Sequence, residues 1–169
     1  RRALRTLTRW NPNPYDGEPY YNLGLALKFQ HRLDEAYAAF YKATWNYAWQ
    51  AAGFYALAEI DCWRGDFATA LEHLERSLLT NALNLKARDL KAAALRRLGR
   101  CEEAQACARE TIALDLLDFW ARNEVVLLRR AAGDAAGAER QLQELSGLMR
   151  GEVQTCLDAL QACFQPSAR

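Results

Sequence analysis

Small, bulky and turn-forming positions recur along this chain with one spacing, and the pattern predicts helices that stop and start in step. Gly65, Gly99 and Gly133 stand 34 residues apart, and His31 occupies the place one period earlier. Five residues after each come Ala36, Ala70, Ala104 and Ala138. A second column of small residues, Gly24, Ala58 and Ala92, keeps the period and ends at Val126. A bulky column holds Phe40, Leu74 and Leu142, with Ala108 as its exception. Small side chains allow two helix backbones to approach closely, and larger ones fill the space between neighbouring units. Glycine supplies the left-handed conformation that ends a helix. Acidic residues then open the next one, as in Leu33-Asp34-Glu35 and Cys101-Glu102-Glu103, where they complement the helix dipole.

A period of 34 is that of the tetratricopeptide repeat, and the chain resembles that family. Four copies run 17–50, 51–84, 85–118 and 119–152 without insertion. The first matches best, through Glu18-Pro19-Tyr20-Tyr21-Asn22-Leu23-Gly24 followed by Leu27, Ala36, Phe40 and Ala43. Phe54, Leu57, Ala58, Gly65, Ala70 and Leu74 carry the second. The later copies drift: Arg88, Lys91 and Arg122 stand where the family prefers an aromatic or leucine. Residues 1–16 read as the end of a preceding repeat, stopped by Pro12 and Pro14. Val153, Leu157, Leu160 and Phe164 form a stripe with 3- and 4-residue spacing, expected to be a capping helix over 153–165. The resemblance implies an all-α fold: one domain over 1–169, a right-handed α-α superhelix of four helix pairs plus terminal capping helices.

In stacked repeats of this type, the first helix of each pair lines a concave surface. The family's groove positions, carried over residue by residue, select ten candidate partner-binding residues: Tyr21, Asn22, Tyr55, Glu59, Trp63, Lys86, Asp89, Trp120, Asn123 and Glu124. Leu25, Phe29, Cys62, Ala93, Arg97 and Leu127 share those positions. Aromatic side chains with a few amides and carboxylates suit an extended peptide or a docked surface. The same aromatics equally suit packing between helices. Some members of the family clamp a C-terminal carboxylate with lysine and asparagine on the first copy. Tyr21 and Leu25 stand at those places here, which disfavours a chaperone tail as partner.

Charge changes this picture little. The 22 basic and 21 acidic residues give a formal charge of +1, so no strong pull toward nucleic acid or anionic membrane follows. Six basic residues gather on the third copy: Lys86, Arg88, Lys91, Arg96, Arg97 and Arg100. An acidic peptide or phosphate would suit them, but their helical spacing points them in different directions and favours a solvated helix. Nucleic-acid recognition wants such charge across several repeats, and it stays on one. Trp45-Asn46-Tyr47-Ala48-Trp49 reads either as a sticky ridge or as a plug between repeats, and the large area aromatics bury favours the plug.

Catalytic chemistry is thinly represented. His31 and His73 have no metal-ligand spacing to cysteine or carboxylate, and Glu59 and Asp61 face different sides of one helix. No Gly-rich phosphate loop, nucleophile elbow or H-E-x-x-H occurs. Five cysteines without a C-x-x-C pair point to reduced thiols and a cytoplasmic setting. No apolar run reaches the roughly 18 residues of a membrane span. The phrasing around Asn11–Asn22, Lys42–Trp49 and Thr80–Arg88 resembles the C-terminal repeat region of large bacterial proteins whose N-terminal part is similar to β-sandwich domains of sugar-processing enzymes. The expected role is a non-catalytic scaffold without cofactor or metal, whose partner is a peptide or a protein domain, including another domain of a parent chain. The alternative is a structural, self-associating appendage of a carbohydrate-active enzyme.

Overall fold

A computed structural model describes residues 2–9 and 16–148. The stripe at 153–165, Pro12, Pro14, Cys156 and Cys163 lie outside the described residues. Among the described residues there are nine helices and no strand, divided between two compact units, 1–107 and 108–169. In the first unit α1 (Arg2–Leu7) touches α2 (Glu18–Phe29), which packs on α3 (Leu33–Ala43). Next, α4 (Tyr47–Arg64) packs on α5 (Phe67–Thr80), and α6 (Leu85–Arg97) lies on α5. The helix α7 (Cys101–Leu114) starts in that unit and runs past its end. In the second unit α8 (Phe119–Ala131) packs on α9 (Ala135–Leu148).

The first helix of each pair stops in one way. A residue just beyond it takes a positive φ: 57° at His31, 79° at Gly65, 75° at Gly99 and 80° at Gly133. The following N–H then reaches back five residues: Arg32 donates to the Leu27 carbonyl, Asp66 to Asp61, Arg100 to Leu95 and Asp134 to Arg129. Glycine takes this conformation freely, whereas His31 holds a Cβ against it at a cost of about 1 kcal/mol.

Second helices start by two devices that alternate along the chain. The Asp66 and Asp134 carboxylates accept from the Thr69 and Gly137 N–H groups, at 3.1 and 2.8 Å. At the same register in the other copies, Arg32 and Arg100 each grip a glutamate three residues on, Glu35 and Glu103, with two guanidinium bonds.

Three of the four columns of the period are interior, and the turn column of His31, Gly65, Gly99 and Gly133 is exposed. Ala36, Ala70 and Ala104 are 0% exposed and Ala138 is 1%. Gly24, Ala58, Ala92 and Val126 are buried as well, as are Phe40 and Leu74, while Leu142 packs partly buried against Val126, Ala138 and Leu145. A Cβ placed on Gly24 would meet the Phe40 ring at 2.6 Å, so only glycine fits there.

The drift residues of the later copies found other work. Arg88 Nε donates to the Ala82 carbonyl and Arg122 Nε to the Leu116 carbonyl, both at 2.8 Å, so each guanidinium ties a helix start to its own connector. Lys91 pairs with Glu75 at 3.3 Å. The boundary expected between residues 50 and 51 falls inside α4, because the Asn46 side chain caps that helix by accepting from the Ala48 N–H at 2.9 Å. Trp49 packs, with its ring centroid 5.0 Å from that of Tyr21. Trp45 and Tyr47 remain 61% and 69% exposed, so the plug reading fits Trp49 and not these two.

Two substitutions test this packing. Gly24→Ala is expected to destabilise by about 2 kcal/mol in guanidinium unfolding, with partial recovery when Phe40→Leu makes room. His31→Gly is expected to stabilise by about 1 kcal/mol; an unchanged midpoint would remove the strain assigned to that turn.

Candidate partner-binding face

In the first unit, α4 touches both α2 and α6, so three first helices lie side by side. Seven of the ten residues selected from the repeat register, Tyr21, Asn22, Tyr55, Glu59, Trp63, Lys86 and Asp89, stand on these three helices, and the structure connects several of them. Tyr21 is half-buried, its ring 5.4 Å from Phe40 and 5.0 Å from Trp49. Tyr55, also half-buried, donates its hydroxyl hydrogen to Glu59 one turn along α4. Lys28 reaches across from α2 to pair with the same Glu59 carboxylate. The Lys28 ammonium lies 5.2 Å from the Trp63 ring centroid, a cation–π contact, and Trp63 is 57% exposed. Asn22 is exposed beside them. Glu59 is thus satisfied from two helices.

Electrostatics follow from this arrangement. Burial, then the Glu59 charge and the hydrogen bond to it, push the Tyr55 hydroxyl well above the usual phenol range. Asp89 and Tyr21 add to that effect. Tyr21 is raised by burial and then by Glu59. The Cys62 thiol is pushed up to about 11 by burial, then by Asp61 and Glu59, with Arg97 opposing. Cys62 is therefore a protonated, unreactive lining residue at neutral pH.

The other selected residues divide by exposure. Lys86 is exposed at the start of α6, whereas Asp89 is 5% exposed and lies beneath the open surface. In the second unit, α8 carries Trp120 at 39% exposure, a half-buried Asn123 and a Glu124 that is 3% exposed. The short Asp89 and the Glu124 carboxylate are thus far less open than the aromatics chosen with them.

Two features escaped the sequence reading. Lys28 was not among the residues selected, because its partners Glu59 and Trp63 belong to the next copy. The second is a buried cluster: His73 Nδ1 on α5 lies 2.7 Å from Asp61 Oδ2 on α4, and Tyr37 on α3 also hydrogen-bonds Asp61. The His73 ring lies between Phe54, stacked at 5.8 Å, and Tyr37, edge-on at 6.1 Å. Burial raises the Asp61 carboxyl more than the His73 bond lowers it. The 12-residue separation of Asp61 and His73 matches no helical spacing, so no sequence signal announces the pair.

Among the described residues, no group of three or more His, Cys, Asp or Glu side chains is placed to hold a metal ion, and no helix is long and apolar enough to cross a membrane. Among the described residues no disulfide joins Cys62, Cys101 or Cys107.

The state of Cys62 is directly measurable. At pH 8 a thiol titrating near 11 is about 0.1% thiolate, so iodoacetamide should label exposed Cys101 at least tenfold faster than Cys62. Glu59→Gln should narrow that gap; equal labelling by peptide mass spectrometry would contradict the acidic surroundings described for Cys62.

No family model and no curated protein sequence matches this chain. Solved structures do. MamA from Desulfovibrio magneticus RS-1 is 20% identical, with TM-score 0.75 over 89% of this chain and 86% of that one. YrrB, described as a TPR protein with an unusual peptide-binding site, is 19% identical, with TM-score 0.72 over 90% and 77% of the two chains. The first TPR of Spaghetti (RPAP3), bound to the HSP90 peptide SRMEEVD, is 21% identical, with TM-score 0.66 over 70% and 94%. These similarities, with the 34-residue recurrence of helix ends and buried small residues, establish a tetratricopeptide-type α-helical fold.

Proposed function

We propose that the first-helix face of the first unit is a binding groove for an extended peptide or a docked segment of a cognate domain, and that the chain acts as a scaffold without catalysis of its own. The observation that carries this reading is the connected array of Tyr21, Tyr55, Glu59, Lys28 and Trp63 on adjacent first helices. Its polar groups satisfy one another, and its aromatic rings are partly open. A surface of that kind offers area to a partner without leaving a bare charge to desolvate. Fold neighbours support the class of partner, since two are described with HSP90 and HSP70 peptides ending in EEVD.

The partner inferred here is different from those tails. Tyr21 and Leu25 stand where the clamp for a terminal carboxylate needs lysine and asparagine, so an internal segment suits the groove better. In a cytoplasmic bacterial parent with a sugar-enzyme-like β-sandwich part, another domain of the same chain is the natural occupant. A linker then supplies millimolar effective concentration, and a weak groove suffices. Trp120 and Asn123 on α8 are proposed as contacts of the second unit in their own right.

Random 12-residue peptides displayed by their N-termini, and selected on the purified protein, provide a probe. Binding of the selected peptides should weaken at least tenfold, about 1.4 kcal/mol, in the Asn22→Ala, Trp63→Ala double variant, with circular dichroism unchanged. Both side chains are exposed, so loss of fold is not a competing cause. Peptides that bind the double variant as tightly as the parent would place the groove elsewhere.

A further inference from the structure

The basic cluster on α6 looks, in sequence, like a solvated helix. The structure sorts it into engaged and disengaged cations. Arg88 is tied to the Ala82 carbonyl, Lys91 to Glu75 and Arg100 to Glu103. Lys86 and Arg97 are exposed and make no ion pair among the described residues. The Arg97 guanidinium lies 4.9 Å from the Phe67 ring, and its charge is felt at the Cys62 thiol on α4. Lys86 sits in the first turn of α6, where a positive charge opposes the helix dipole and does nothing for the helix itself.

On α4 and α6 the carboxylates are already used or covered, and the exposed Glu18 of α2 stands two copies away at the register position of Lys86. Glu59 is held by Lys28 and Tyr55, and Asp89, the one acid on α6, is 5% exposed. Across α2, α4 and α6 the face therefore grades from aromatic to cationic. Phe29 and Trp63 share one register position in successive copies and are 81% and 57% exposed; Arg97 takes that position in the third. Lys86 and Arg97 are 11 residues apart on one helix, about 16 Å, which an extended chain covers in about five residues.

Building on the groove reading above, we infer that the segment this groove takes pairs an apolar anchor, seated by Phe29 and Trp63, with acidic side chains that meet Lys86 and Arg97. Charge complementarity selects this occupant over a neutral or basic one, because no accessible carboxylate on α4 or α6 is left to receive a cation. The acidic groups recognised are side chains within the segment, not a chain end.

The peptide selection described above, sequenced in depth, tests the inference. The enriched pool should be rich in Asp and Glu beside an apolar residue. Synthetic amidated copies should lose at least tenfold affinity, by fluorescence anisotropy, to the Lys86→Gln, Arg97→Gln variant, and should weaken steeply between 50 and 300 mM salt. A neutral or basic pool, or an acidic pool indifferent to that variant, overturns the charge inference while the groove stands, provided binding still needs Asn22 and Trp63. A pool that also binds the Asn22→Ala, Trp63→Ala variant unchanged overturns both readings.

Discussion

Two helices nest closely only where nothing larger than a methyl group stands between them, and that steric rule organises this chain. Gly24 leaves room for the Phe40 ring and no more, and the alanines at 36, 70, 104 and 138 are sealed in the interior. Once those contacts are made, the remaining sides of each helix have little choice. The inner side of α4 buries Phe54, Leu57 and Ile60, and Tyr55, Glu59 and Trp63 occupy the side that meets α2 and α6 or solvent. The proposed binding face is thus a by-product of the packing rule, set by the residues it leaves outside.

Local features of the fold were legible because each helix pair repeats its grammar at one spacing. The left-handed turns stand where the Gly column and His31 put them, and the buried columns are the ones the period marks. Residues whose partners sit on another helix were legible only as anomalies. Arg88 and Arg122 broke the family pattern, yet nothing in their spacing revealed the connector carbonyls they hold. Lys28 and the Asp61–His73 pair gave no sign at all, since periodicity reports which residues share a helix face and not which faces meet. The Trp45–Trp49 segment was readable in part: the area argument suits Trp49, while the cap at Asn46 turns its neighbours outward.

On the α2–α4 surface the polar groups arrive already organised. Glu59 is oriented by Tyr55 from its own helix and by Lys28 from the neighbouring one, and Lys28 is in turn steadied by the Trp63 ring. Side chains held in this way have little rotamer freedom left to lose when a partner arrives. The α6 side differs: among the described residues no ion pair holds Lys86, and Arg97 lies against the Phe67 ring. A rigid aromatic end and a looser cationic end divide the face between shape and charge.

Asp61 has a consequence for how the molecule comes apart. One carboxylate accepts from Tyr37 on α3 and from His73 on α5 while belonging to α4, so two successive helix pairs share a single buried acceptor. Peeling the first pair away takes the Tyr37 donor from that hub, and a buried polar group left short of a partner costs about 1–3 kcal/mol. Repeat arrays otherwise tend to fray one unit at a time. Here the first two pairs are bound into one cooperative block, which should exchange its amide hydrogens together.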